Sequence, residues 1–130
     1  MNDFVWPVRV YYEDTDAGGV VYYANYLKFF ERARTELLRY LGFEQDDLMS
    51  RLGIIFVVRS VQVDYLKPAR FNEQLAVSAT VSSLKKTSFI FTQQITRGGD
   101  LLCQGDIRIA CLDVNSMRPK AIPEEIIKKI

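Results

Sequence analysis

The sequence contains no histidine. That absence removes Ser-His-Asp and Cys-His nucleophilic mechanisms and every histidine metal site. Chemistry on this chain must come from carboxylates, lysine, tyrosine, cysteine or backbone dipoles. Cysteine is scarce: Cys103 and Cys111 stand eight residues apart, without a CxxC spacing. They lack the ligand pattern of a zinc site, and no metal is expected. An even spacing puts both thiols on one face of a strand. They read as buried free cysteines in a reduced compartment. A long apolar run is also missing, so no membrane span is expected. Neither sign of charge dominates, since 17 Lys and Arg face 16 Asp and Glu. A nucleic-acid binder held by bulk charge would show a basic excess. A local basic patch for a phosphate-bearing ligand remains compatible with that balance. Met1 to Phe4 lacks the basic-then-apolar layout of a signal peptide, which points to a cytoplasmic protein.

What is present is enough apolar residue for a real core in a chain of 130 residues, read as one domain over 1–130. A domain this short keeps a high surface-to-volume ratio, and oligomerisation is a natural way to bury more. Phe4 to Glu13 reads as a strand, with Val8, Val10 and Tyr12 on one face. Asp14 to Gly19 is a turn by composition, and Val20 to Tyr22 a short extended run. The strongest helix signal runs from Ala24 to Leu41. Tyr26, Phe29, Phe30, Ala33, Leu37 and Leu41 follow the spacing of one face, and Gly42 suits the position after the end. A second, short helix is expected from Gln45 to Arg51. Beyond Gly53 the period falls to two. Strands are expected at Ile54–Tyr65, Gln74–Leu84, Thr87–Thr96 and Leu101–Asp113, the last three joined by short hairpins. A short amphipathic tail follows, from Glu124 to Ile130. Strand, long helix, then four strands predicts an α+β domain: an antiparallel five-stranded sheet curved around one central helix.

Taken by themselves, Asp14 and Asp16 suit a turn, because aspartate bonds readily to its own local backbone. Gly18 and Gly19 let that turn close tightly and let a ligand approach. The helix that follows opens with unpaired N–H groups whose dipole favours negative charge. Glu31 and Glu36 read as partners for Arg32, Arg34 or Arg39 on the helix surface, with Glu31 as an alternative second carboxylate. Tyr22, Tyr23 and Tyr26 are compatible with plain core aromatics, and for Tyr26, on the apolar helix face, that is the preferred reading.

The segment VRVYYEDTDAGGVVYYANY, from Val8 to Tyr26, closely resembles the signature of the hotdog-fold acyl-CoA thioesterases. The following FFERARTE, Phe29 to Glu36, extends the match. It continues more loosely through Phe56–Arg59, Tyr65–Arg70, Thr87–Ser88 and Met117–Ala121. The nearest group is the one associated with the bacterial Tol-Pal system, related to the 4-hydroxybenzoyl-CoA thioesterases. The resemblance implies a hotdog fold, a homodimer or homotetramer with active sites at subunit interfaces, and hydrolysis of acyl-CoA without metal or bound cofactor. Acyl-carrier protein is an alternative bearer of the thioester. The resemblance places the catalytic carboxylate at Asp16, as nucleophile or as general base. It places the carbonyl's donor at the N–H of Tyr23. Many members of the group carry histidine at that position; the hydroxybenzoyl-CoA branch is similar to this chain in carrying tyrosine. Gly18 and Gly19 would shape the substrate approach. Coenzyme A calls for a cationic rim, with Arg59, Lys67, Arg70 and the cluster Lys85, Lys86, Thr87 and Ser88 as candidates. The competing readings are a dehydratase of the same fold, which would look to histidine, and a non-catalytic acyl-carrier or envelope-complex interaction protein.

Overall fold

The computed structural model describes residues 4–130; Met1 to Asp3, on which the reading of the leader rests, lie outside the described residues. The chain forms β1 (Phe4–Arg9), α1 (Asn25–Tyr40), α2 (Gln45–Leu52), β2 (Ile54–Tyr65), β3 (Gln74–Leu84), β4 (Ser88–Arg97), β5 (Asp100–Asp113) and α3 (Glu124–Ile127). The strands make one antiparallel sheet in the order β1-β3-β4-β5-β2. This is the expected sheet around one long helix. Pro7 is tolerated because β1 is an edge strand that pairs only with β3.

The sheet curls because its strands carry extra residues. The register slips between Val58 and Ser60 on β2, between Val81 and Ser83 on β3, and between Ile95 and Thr96 on β4. Each bulge adds twist and bend to an antiparallel pair. The curl wraps α1, whose Tyr26, Phe29, Phe30, Ala33, Leu37 and Leu38 are buried against Leu75, Val77, Phe89, Phe91 and Ile95. Each large side chain so buried contributes about 1.5–3 kcal/mol. The helix stops at Gly42, which sits at φ +99°. The Gly42 N–H donates to the Arg39 carbonyl and the Phe43 N–H to that of Leu38, closing a Schellman end.

Two expectations need correction. The first strand ends at Arg9 rather than Glu13, and Tyr12–Asp14 is a turn of 3₁₀ helix. The cause is Asp14, whose buried carboxylate accepts the Tyr11 N–H at 2.8 Å and pulls the chain away from the sheet. Tyr12 therefore leaves the predicted inner face and stacks on Phe71 at the surface, with ring centroids 3.8 Å apart. The second concerns Arg34, expected on the helix surface. It is buried, and its Nη1 donates to Gln93 Oε1 at 3.0 Å. Gln93, fully buried on β4, in turn donates to the carbonyls of Phe30 (3.0 Å) and Ser78 (3.1 Å). Arg39 behaves as expected, pairing with Glu36 and Glu44 in the open. Other helix and strand ends fall within a few residues of the sequence expectation.

The buried Gln93 side chain ties helix to sheet through polar groups. Gln93→Leu keeps the volume but strands the Arg34 guanidinium and two carbonyls. We expect a loss of about 1–3 kcal/mol in stability, read from the urea midpoint at unchanged slope.

Candidate active site

The turn between β1 and α1 is held at both ends. On one side the Val21 N–H donates to the Ala69 carbonyl at 2.8 Å, and Val20 bridges to Arg70. On the other, the Asp14 carbonyl accepts from the Tyr22 N–H and from Asn25 Nδ2, both at 2.9 Å. The Tyr26 hydroxyl accepts the Ala69 N–H at 3.0 Å, clamping the helix start to the same loop. Asp14 is thus a structural residue, in keeping with its reading as a turn former. Tyr26 is a core aromatic with its one polar atom satisfied.

Within this frame Asp16 sits at the exposed tip. Its N–H donates to the Val20 carbonyl and its own carbonyl accepts from the Gly19 N–H at 3.0 Å. Asp16 Oδ1 accepts the Gly18 N–H at 2.8 Å. Oδ2 carries no hydrogen bond among the described residues. Gly19 holds φ +80°, a conformation that favours glycine. A Cβ on Gly18 would meet Asp16 Oδ1 at 3.2 Å and press on the carboxylate. Both glycines therefore serve the placing of Asp16 within this turn.

Nine residues after Asp16, α1 begins. Its N-cap residue is Ala24, which has no side chain to cap the helix. The Asn25 N–H turns back to the Tyr22 carbonyl at 2.8 Å, but among the described residues the Tyr23 and Ala24 amides have no acceptor. No acidic residue stands in the first turn to neutralise the dipole. A free carboxylate oxygen and a free helix-start amide thus belong to the same short loop. The Tyr23 ring is exposed, edge-on to Tyr65 with centroids 6.1 Å apart. Tyr65 lies 42 positions further along, and no local signal in the sequence links it to this loop.

Most of the cationic candidates lie elsewhere in the chain. Arg59 is the bulged residue midway along β2, and exposed. Lys85 and Lys86 form the β3–β4 hairpin with Thr87, and Ser88 opens β4 as a buried residue. Backbone bonds tie that hairpin to the far end of the sheet, from Cys111 N–H to the Thr87 carbonyl and from Ile122 N–H to that of Lys86. Ser88 pairs with Ala110 on β5, whereas Tyr65, beside the Tyr23 ring, pairs with Cys103. Seven residues of strand span about 24 Å. The fold brings Asp16, Gly18, Gly19 and Tyr23 together; Lys85 to Ser88 stand at the other end of the same protomer. Lys67 and Arg70 are nearer the turn, though Lys67 already faces Asp100 at 3.5 Å.

The profile of the thioesterase-like superfamily matches residues 10–130. The chain belongs to this superfamily. It is 47% identical to an acyl-CoA thioester hydrolase, YbgC, of Escherichia coli, over 95% of this chain and 92% of that one. It is 46% identical to an acyl-CoA thioesterase, YbgC, of Haemophilus influenzae, over 96% of this chain and 92% of that one. A crystal structure of a probable thioesterase from Bartonella henselae superposes with a TM-score of 0.90 at 34% identity, covering 94% of this chain and 100% of the other. The superfamily's hotdog fold is the sheet and helix described above.

Both cysteines of this thioesterase-family chain are buried on the inner face of β5. Burial, with a smaller push from Asp64, raises the Cys103 thiol to about 12. Burial also raises Cys111. Neither is a thiolate at neutral pH, which takes both out of contention as nucleophiles. A thiol reagent at pH 8 should label neither residue in the native protein and both after denaturation, as counted by mass spectrometry.

Proposed function

We propose that the protein hydrolyses acyl-CoA thioesters, with Asp16 supplying the attack and the Tyr23 N–H holding the carbonyl oxygen. The reading rests on one observation. A carboxylate oxygen and a backbone amide, both without partners among the described residues, sit in one loop at an uncapped helix start. Thioester hydrolysis needs those two elements: something to attack the carbonyl carbon, and a donor for the oxyanion that develops. A preorganised donor of this kind is worth about 3 kcal/mol of barrier. In one route Asp16 Oδ2 adds to the carbonyl carbon, the C–S bond breaks, the CoA thiolate leaves, and water opens the mixed anhydride. In the other, Asp16 takes a proton from water as the oxygen adds to the same carbon. The identity to curated acyl-CoA thioester hydrolases supports CoA as the leaving group. An acyl-carrier protein would present the same thioester.

The distance between Asp16 and the hairpin of Lys85, Lys86, Thr87 and Ser88 supports a site shared between two subunits. β2 is a twelve-residue edge strand with Val58, Val61 and Tyr65 exposed on its inner face. So long an open edge is a template for pairing. Antiparallel pairing of β2 with its copy about a two-fold axis sets the Tyr65 end of one subunit beside the Ile54 end of the other. That arrangement turns the partner's Lys85–Ser88 hairpin toward Asp16, and brings the two Arg59 bulges near the axis. Coenzyme A phosphates would then meet Lys85, Lys86, Thr87, Ser88 and Arg59 across the seam. A homotetramer would be two such pairs.

Asp16→Asn should lower kcat by about 10²-fold or more against short aliphatic, long aliphatic and aromatic acyl-CoAs in a thiol-release assay. Full activity in that variant, or no turnover of any substrate by the parent protein, would overturn the assignment. Val61→Glu sets a charge into the proposed seam. Sedimentation should show a monomer, with thiol release lost in step; an active monomer would refute the shared site.

A further inference from the structure

Between α1 and the inner faces of β2, β4 and β5 lies a cleft of about 250 Å³. Drug-sized ligands occupy roughly 300–1,000 Å³, so this space suits an acyl group rather than a whole coenzyme. Phe56, Phe89, Phe91 and Ile109 form its apolar wall; Glu31, Arg34 and Thr35 form the helix side. An arginine in such surroundings is costly, since burial withdraws its hydration. Arg34 is 9% exposed, and among the described residues no carboxylate lies within ion-pair distance of it. Burial lowers its pKa only to about 10, so the charge persists at neutral pH.

Its donors are only partly used. A guanidinium offers five N–H groups, and here Nη1 meets Gln93 Oε1. No fully buried side-chain nitrogen lacks a partner among the described residues, so the remaining donors open onto the cleft. Glu31 does not take them. Its carboxylate accepts the Thr35 hydroxyl at 2.5 Å at the exposed mouth and acts on Arg34 only through space, as a charge that partly offsets the effect of burial. A hydrocarbon filling this cleft would strip water from those donors and give nothing back. A carboxylate would take two of them in parallel, the geometry a guanidinium fits best.

We infer that this cleft receives the acyl group, and that Arg34 selects acyl chains ending in a carboxylate over hydrocarbon chains of the same length. The inference rests on the shared site proposed above, in which the partner subunit's Tyr65, and with it the partner's Asp16 loop, comes beside Phe56. The reaction is unchanged: the C–S bond breaks, a C–O bond forms, and a dicarboxylic acid leaves in place of a fatty acid.

Length-matched pairs test it: adipoyl-CoA against hexanoyl-CoA, and suberoyl-CoA against octanoyl-CoA. The parent protein should favour the carboxylated member of at least one pair by about tenfold or more in kcat/KM. Arg34→Met should bring that ratio to one or below, chiefly through KM, and Arg34→Lys should keep part of it. A purely structural arginine would lower both substrates alike and leave the ratio standing. Calorimetric titration of the same four thioesters into the Asp16→Asn protein reads the preference without turnover. Preference in binding with no thiol release would sink the hydrolase reading and keep this one. Turnover with a ratio near one, or a ratio that survives Arg34→Met, would overturn this one and keep the hydrolase. Should Arg34→Met fail to fold, the parent ratio and Arg34→Lys decide.

Discussion

A sixteen-residue helix with Phe29, Phe30, Leu37 and Leu38 spread over half its circumference cannot be covered by a flat sheet. The need to bury it on several sides dominates the architecture. It requires a sheet bent by bulges on neighbouring strands, and the bend closes around the helix axis. Once the sheet is wrapped, the helix N-terminus has one place to go, the end of the sheet where β1 stops and the loop before β3 begins. The Asp16 turn is there because the helix start is there.

That location explains how small groups do the work. The turn is too short to have a core of its own, so it borrows rigidity from its surroundings. Asp14 folds the chain out of β1, Asn25 and the Tyr22 amide grip the Asp14 carbonyl, and the Ala69 loop braces Val21 and Tyr26. Asp16 can then stay exposed and still be placed. The same frame leaves the Tyr23 and Ala24 amides without acceptors. An alanine N-cap, weak as a helix signal, leaves those donors open where a Ser, Thr, Asp or Asn side chain would occupy one of them.

The polar groups inside the wrap follow another logic. Gln93 satisfies two carbonyls and one guanidinium nitrogen, joining α1 to β3 and β4 from a fully buried position. Because that link fixes only one part of Arg34, the rest of its charge faces the cleft against β2. The stability of the wrap and the character of the cleft thus meet in one side chain. No fully buried side-chain nitrogen or oxygen among the described residues lacks a partner, so the donors of Arg34 that Gln93 leaves unused belong to the cleft rather than to the packed core.

Much of this was legible in the order of residues. The helix from Asn25 to Tyr40 is written in its apolar spacing and in Gly42, and β2 and β3 in their period-two runs, because local backbone preferences and one-sided burial are short-range physics. The turn at Asp16 was legible too, through its acids and glycines and through the long motif around it. Tertiary structure decided what depends on residues far apart. Arg34 has the pattern of a surface helix residue, and only Gln93, 59 positions away, draws it inside. Tyr12 alternates correctly for a strand, yet the buried Asp14 turns the chain before the strand can reach it. Lys85 to Ser88 have the chemistry of a phosphate site, but strand pairing sets them at the far end of the sheet from Asp16. Sequence by itself determined which segments would be helix or strand and which loop carried the candidate carboxylate. The closing of a sheet around a helix determined which of those groups could meet, because distance along a chain says nothing about distance across a fold.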